Sequence, residues 1–142
     1  MKLKIKRFDA TLPLPEYKTD QAAALDLYAR VDTVIPPQKI GYVPLNVALE
    51  LPSDHWALLA ARSSLHKRGL MMANGIGVGD EDYCGDNDEY QAALFNFTDQ
   101  EVVIKKGERI VQLIILSREK VEVEGVEELG NEDRGGFGST GF

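Results

Sequence analysis

From Ala73 to Gly85 the chain reads Ala-Asn-Gly-Ile-Gly-Val-Gly-Asp-Glu-Asp-Tyr-Cys-Gly, and the residue types in this stretch can do chemistry. Gly75, Gly77 and Gly79 alternate, leaving an edge without side chains along which a flat ligand can approach the backbone, as glycines inside strands often permit. Asp80, Asp82 and Tyr83 follow at once, and Gly85 closes the stretch as a turn former. A slot, a carboxylate and a ring together make a ligand pocket with a base at its rim. The same residues also make an acidic hairpin turn. Two sharper patterns fail here: a calcium loop counted from Asp80 lacks ligands at Cys84 and Gln91, and a dinucleotide fingerprint counted from Gly75 meets Asp80 where it needs glycine.

Further candidates lie on either side. Arg62-Ser63-Ser64 offers a guanidinium, two hydroxyls and the free amides of a helix start, a combination that suits an anion; an ordinary serine N-cap has the same residues. Asp26 stands between Leu25 and Leu27, either turned to solvent or part of a polar site. Gln112 is an amide in an apolar run and must find a hydrogen-bond partner. Near the C-terminus, the amides of Gly136 and Gly138 with Arg134, Ser139 and Thr140 can wrap phosphate oxygens, while Phe137 can stack on a base. A frayed polar terminus has the same composition. The glycine spacing of 136, 138 and 141 matches a dinucleotide loop only by coincidence, because Phe142 alone follows and no helix can begin.

The elements that must position these groups read as strand after strand. Leu3 and Ile5 alternate with lysines, Leu25 to Val31 alternate as far as Pro36-Pro37, and Val43, Leu45, Val47, Leu49 and Leu51 keep period two up to Pro52. Trp56 to Ala61 is a short apolar run, followed by one or two helical turns capped by Ser63 or Ser64 and stopped by Gly69. Tyr90 to Phe97 and Val102 to Ile104 are further strands. Arg109 to Ser117 is apolar on both faces and therefore expected to be deeply buried, and Val121 and Val123 alternate with glutamates as a last short strand. Short strands with turn signals about every 8–12 residues and hardly any helix predict an antiparallel sandwich or barrel. From Leu129 onward the glycine density predicts a segment that does not fold alone.

Composition narrows the classes. The chain has 142 residues, 44% hydrophobic and 27% charged, enough for one domain with a real core. No apolar run is long enough to span a membrane, and the N-terminus lacks a signal peptide's apolar core. A single cysteine (Cys84) and two histidines exclude an intrachain disulfide and make a structural metal site an unexpected feature. A net charge of −7 repels nucleic acid, so an anionic substrate needs local cations such as Arg62 and Arg134. A cytoplasmic protein is the expectation.

Taken in order, Ala24-Leu-Asp26-Leu, Arg62-Ser-Ser-Leu65, Asn74 to Gly85, Gly107-Glu-Arg-Ile-Val-Gln-Leu113 and Arg134-Gly-Gly-Phe-Gly-Ser-Thr-Gly141 resemble the five ordered motifs of the trimeric dUTP diphosphatases. The resemblance runs from about Ala23 to the C-terminus. It implies an all-β jelly roll at residues 1–128, a flexible lid at 129–142, and a homotrimer with active sites at subunit interfaces. It also implies magnesium-dependent hydrolysis of dUTP to dUMP and pyrophosphate.

Carried over by position, Asp80 resembles the carboxylate that deprotonates the attacking water. Tyr83 resembles the ring beneath the deoxyribose. Asn74 and the backbone of Gly77, Val78 and Gly79 resemble the hairpin that reads uracil. Arg62, Ser63 and Ser64 match the phosphate motif, with Gln112 and Asp26 in the polar network around phosphates and Mg2+, in its outer shell. Phe137, Gly138, Ser139 and Thr140 match the closing tail, and Arg134 its γ-phosphate cation. The chain departs from the pattern at Gly79 and Cys84, in an insertion at Asp86-Asn-Asp-Glu89, in the short spacing from Arg134 to Phe137, and at Ser64. Ser64 is shared with the related dCTP deaminases, although no glutamate lies between Gln91 and Phe97 to serve as the deaminating group. A jelly-roll protein that binds nucleotides without cleaving them is the non-enzymatic alternative.

Overall fold

The computed structural model describes residues 1–141. Eleven strands form in them: β1 (Lys4–Arg7), β2 (Leu25–Tyr28), β3 (Thr33–Ile35), β4 (Ile40–Pro44), β5 (Val47–Glu50), β6 (His55–Ala61), β7 (Leu70–Met72), β8 (Gly77–Gly79), β9 (Gln91–Asn96), β10 (Val102–Ile104) and β11 (Arg109–Ser117). Every registered pair is antiparallel. The order β2-β11-β6-β8 makes the largest sheet, β4-β9-β7 a second, and β1-β5 and β3-β10 two ribbons. The all-β antiparallel expectation holds.

The period-two run from Val43 to Leu51 is buried as expected, but it is two strands. Asn46 interrupts it with φ 69°, a left-handed conformation that asparagine tolerates better than most residues. Its buried side chain works as a strand partner: Oδ1 accepts from the Asp9 amide at 2.6 Å and Nδ2 donates to the Asp9 carbonyl at 3.1 Å. On one side of this corner β4 pairs with β9, and on the other β5 pairs with β1.

β11 is central to its sheet, between β2 and β6, yet only its first half is buried. Ile110, Val111 and Leu113 are core residues, whereas Leu116 and Ser117 are exposed, so the expectation of deep burial throughout is corrected. The predicted strand at Val121 and Val123 does not form either. β11 ends at Ser117, and the two valines are exposed (80% and 87%). Alternation needs a sheet edge to pair with and a core to cover, and here the chain has left both. The helical turn is a single 3-10 turn, Leu65–Arg68, closed by Gly69 at φ 74° as the glycine stop predicts.

Candidate active site

Two clefts contain the residues of interest. The first, about 500 Å³, is lined by Asn74, Gly77, Val78, Gly79, Asp80 and Tyr83 together with Tyr42, Glu89, Tyr90, Gln91 and Ala93. β8 is the edge strand of its sheet, paired only with β6. One row of its backbone N–H and C=O groups therefore has no ladder partner.

The glycines themselves work differently from the expectation. A Cβ on Gly77 would stand 2.9 Å from the Leu59 Cβ, and one on Gly79 only 2.2 Å from the Tyr90 hydroxyl. Their bare faces are filled by the protein's own side chains, so they let β8 lie flat on the sheet, while Val78 points outward, 63% exposed. What remains open to a ligand is the strand edge.

The turn after β8 is braced from three sides. The Tyr83 hydroxyl donates to the Glu89 carbonyl at 3.1 Å, and its ring meets Tyr90 edge-on, with centroids 5.5 Å apart. Glu89 is itself fixed: its carboxylate receives Nε and a terminal nitrogen of Arg30 at 2.7 and 3.0 Å, and the Asn46 amide at 3.0 Å. Glu81 accepts from Arg118 at 2.8 Å and from the Asp54 amide at 3.1 Å. Asp80 is exposed between these anchored neighbours. The insertion Asp86–Glu89 is thus a splint for the turn, with Asp88 also accepting from the Gly85 amide at 2.7 Å. Burial, then the charges of Asp88 and Glu89, raise the Tyr83 phenol's pKa. Burial is also the largest cause pushing Tyr90 up to about 12, with Tyr83 and Asp80 adding to it.

The second cleft, about 380 Å³, is cationic, with Arg62, Lys67, Arg68 and Arg109 in its wall beside Ser64. Its anchor is Asp26, which is buried rather than turned to solvent. Its two oxygens meet Arg62 Nε at 3.1 Å and Arg109 at 2.9 Å. Arg62 also donates to the Arg109 carbonyl at 3.0 Å.

A bulge in β11 makes this possible. Gln112 faces Asp26, so an unbroken ladder would set Arg109 against Ala29, on the opposite face from Asp26. The register shift between Arg109 and Val111 puts Arg109 against Tyr28 instead, on Asp26's side. Gln112 finds a structural partner, donating to the Ala61 carbonyl at 2.9 Å. Ser64 makes no side-chain cap, and Ser63 and Ser64 are exposed.

The two clefts share no residue. Gly79 faces Ala57 in the β6–β8 ladder, which sets Asp80 level with Trp56, whereas Arg62 follows the other end of β6. Six residues of strand separate them, about 20 Å at ~3.3 Å per residue. The described residues of the tail join neither cleft. Arg134, Gly138, Ser139 and Thr140 are exposed, and Phe137 is fully so.

The dUTPase family pattern matches residues 10–141. The deoxyuridine 5'-triphosphate nucleotidohydrolase of Hydrogenobaculum sp. (strain Y04AAS1) is 43% identical, over 100% of this chain and 99% of that protein. This chain belongs to the dUTPase family. A solved dUTPase from Streptococcus mutans, 31% identical, superposes with a TM-score of 0.77 over 84% of this chain and 98% of that one. The Staphylococcus bacteriophage 80alpha dUTPase, solved as its G164S mutant with dUpNHpp, shares the fold at 23% identity, with a TM-score of 0.86 over 99% of each chain.

Sequence reasoning assigned no individual role to Arg109, Glu89 and Tyr90, which line the clefts of this dUTPase-family chain, or to Arg30, which holds Glu89. Arg109 lies inside a quoted motif, but its reach to Asp26 depends on a bulge that leaves no mark in the sequence. Glu89 and Arg30 meet across 59 positions. Tyr90 was legible only as the first residue of a strand. No helix among the described residues is long and apolar enough to cross a membrane.

Proposed function

We propose that this member of the dUTPase family hydrolyses dUTP to dUMP and pyrophosphate as a cytoplasmic homotrimer. The observation that carries the reading is the division of the site: an edge-lined cleft where Asp80 has no side-chain partner among the described residues, and a separate cationic cleft about 20 Å away along the same strand. A water held by a base must also touch the phosphorus it attacks. A single chain cannot bring Asp80 and the Arg62 cluster to one substrate, whereas neighbouring chains in a closed ring can. The tail, whose described residues are exposed and pack on neither cleft, covers a site on another subunit in this reading.

In this reading uracil takes the free edge of Gly77 to Gly79 with Asn74, and deoxyribose rests on Tyr83. Asp80, open to solvent on a braced turn, takes a proton from water. The water oxygen bonds to the α-phosphorus, the bond from that phosphorus to the bridging oxygen breaks, and pyrophosphate leaves. Arg62 and Arg109, both oriented by Asp26, face the phosphates with Ser63 and Ser64, and Arg134 meets the γ-phosphate. Phe137 covers the base while Gly138, Ser139 and Thr140 close on the phosphates.

Among the described residues no cluster of three or more His, Cys, Asp or Glu can hold a metal. That fits Mg2+ carried by the substrate's phosphates, with Asp26 and the free oxygen of Gln112 at most in its outer shell. Bound there, it neutralises part of the roughly four negative charges that repel the nucleophile.

The deciding assay measures pyrophosphate and ammonia release with dUTP, dCTP, dTTP and UTP. Pyrophosphate from dUTP alone supports the reading. Ammonia from dCTP, or no turnover at all, overturns it.

A further inference from the structure

We propose that Tyr90 is a positioning residue for the reaction, its hydroxyl donating a hydrogen bond, directly or through one water, to the carboxylate of Asp80 when substrate is bound. The inference rests on the reading of Asp80 as the base.

Three observations lead to it. The Tyr90 hydroxyl is buried and, among the described residues, has no hydrogen-bond partner, although the residue is only 6% exposed. A buried hydroxyl left unpaired costs about as much as a lost hydrogen bond, so a partner elsewhere in the working cycle is the economical explanation. Second, the oxygen occupies the position of the side chain that Gly79 lacks: a Cβ there would be 2.2 Å away. The phenol therefore comes up directly beneath the residue that precedes Asp80.

Third, acceptors in that wall of the cleft are few. Of its two carboxylates, Glu89 is fully engaged by Arg30 and the Asn46 amide, and its carbonyl by Tyr83. Asp80 has no side-chain partner among the described residues. Tyr83 is turned edge-on to Tyr90 and spends its own proton on Glu89.

A hydrogen bond to the ionised carboxylate orients it and favours its charged form. Other charges face Asp80 as well: Glu81 and Asp82 on its own turn, Arg118 and Lys120 from the segment after β11, and Glu89 across the cleft. None of them changes when only the Tyr90 oxygen is removed.

The test is Tyr90→Phe, followed as a pH profile of kcat with dUTP and Mg2+. Expected are a kcat about tenfold lower at unchanged KM and a pH profile whose acid limb moves to higher pH, because the reacting carboxylate loses a hydrogen-bond donor. A profile superimposable on that of the unaltered protein, with kcat within twofold, overturns the proposal. Asp80→Asn is run alongside. If it too keeps near-normal turnover, the reading of the base has failed; if it is inactive while Tyr90→Phe is unchanged, only the role of Tyr90 has. Should Tyr90→Phe not fold, site-specific 3-fluorotyrosine keeps the shape and makes a stronger donor. The limb then moves down, and an unmoved limb overturns the proposal.

Discussion

Glu89 grips Arg30 through both carboxylate oxygens, at 2.7 and 3.0 Å, and by doing so fixes the carbonyl on which the Tyr83 hydroxyl rests. The pair links the segment after β2 to the segment before β9 and so ties the acidic stretch Asp86–Glu89 to the sheets. Arg30→Met should cost about 1–2 kcal/mol of stability, since Glu89 is mostly buried but Arg30 is about a third exposed. Urea unfolding measures it. On the proposed reading of Tyr83 as the ring beneath the sugar, the same variant should narrow the preference for dUTP over UTP in the direction of Tyr83→Ala, because that ring loses its rest. Unchanged kcat/KM ratios in both variants would remove Tyr83 from sugar selection.

Asp80→Asn keeps the shape of the side chain and removes its basicity. Turnover of dUTP should fall by roughly two or more orders of magnitude, with binding of a non-hydrolysable dUTP analogue retained. Calorimetric titration separates the two effects.

Stopping the chain after Asn131 should leave thermal stability almost intact, since the described residues beyond it are exposed and contribute nothing to the core. On the proposed reading hydrolysis should collapse, because the truncation would remove both a phosphate cation and the cover that excludes water. Phe137→Ala should fall between. Full-rate hydrolysis by the truncated protein would mean that the tail is no lid.

Alkaline pH supplies a test independent of catalysis. The Tyr90 phenol titrates near 12 in the folded chain against 10.0 for an ordinary tyrosine. The unfolded chain releases this proton first, so the associated stability is complete below pH 10 and is lost as pH rises from about 10 to 12. The loss should reach about 2–3 kcal/mol. Tyr90→Phe should flatten that slope when denaturant midpoints are compared between pH 8 and 11.

Much of this was legible in the sequence. Period two located β1, β2 and the run that became β4 and β5, apolar runs located β6 and β11, and the glycine after Arg68 marked the end of the one helical turn among the described residues. Local pattern could not show that Asn46 turns a nine-residue run into a corner, because the deciding partner is Asp9, in the loop beyond β1. Nor could it show that Gly79 answers to Tyr90, since the shared volume exists only once the sheet has formed. β3 and β7, three residues each, were too short for any period to register. Asp26 read as ambiguous for a related reason. A carboxylate between leucines is a liability until two arginines far away in sequence, Arg62 after β6 and Arg109 on β11, reach it.

The division of the site between two clefts has a consequence for inheritance. If base and phosphate cations serve each substrate from different chains, a lesion at Asp80 and a lesion at Arg62 are not equivalent within one assembly. Two genes, each with one of these defects and each inactive alone, would restore activity when expressed together, since some mixed assemblies pair a sound carboxylate with a sound guanidinium. Either defect beside a normal copy would behave as recessive, and the pattern of rescue across allele pairs would map which residues share a chain's side of the boundary.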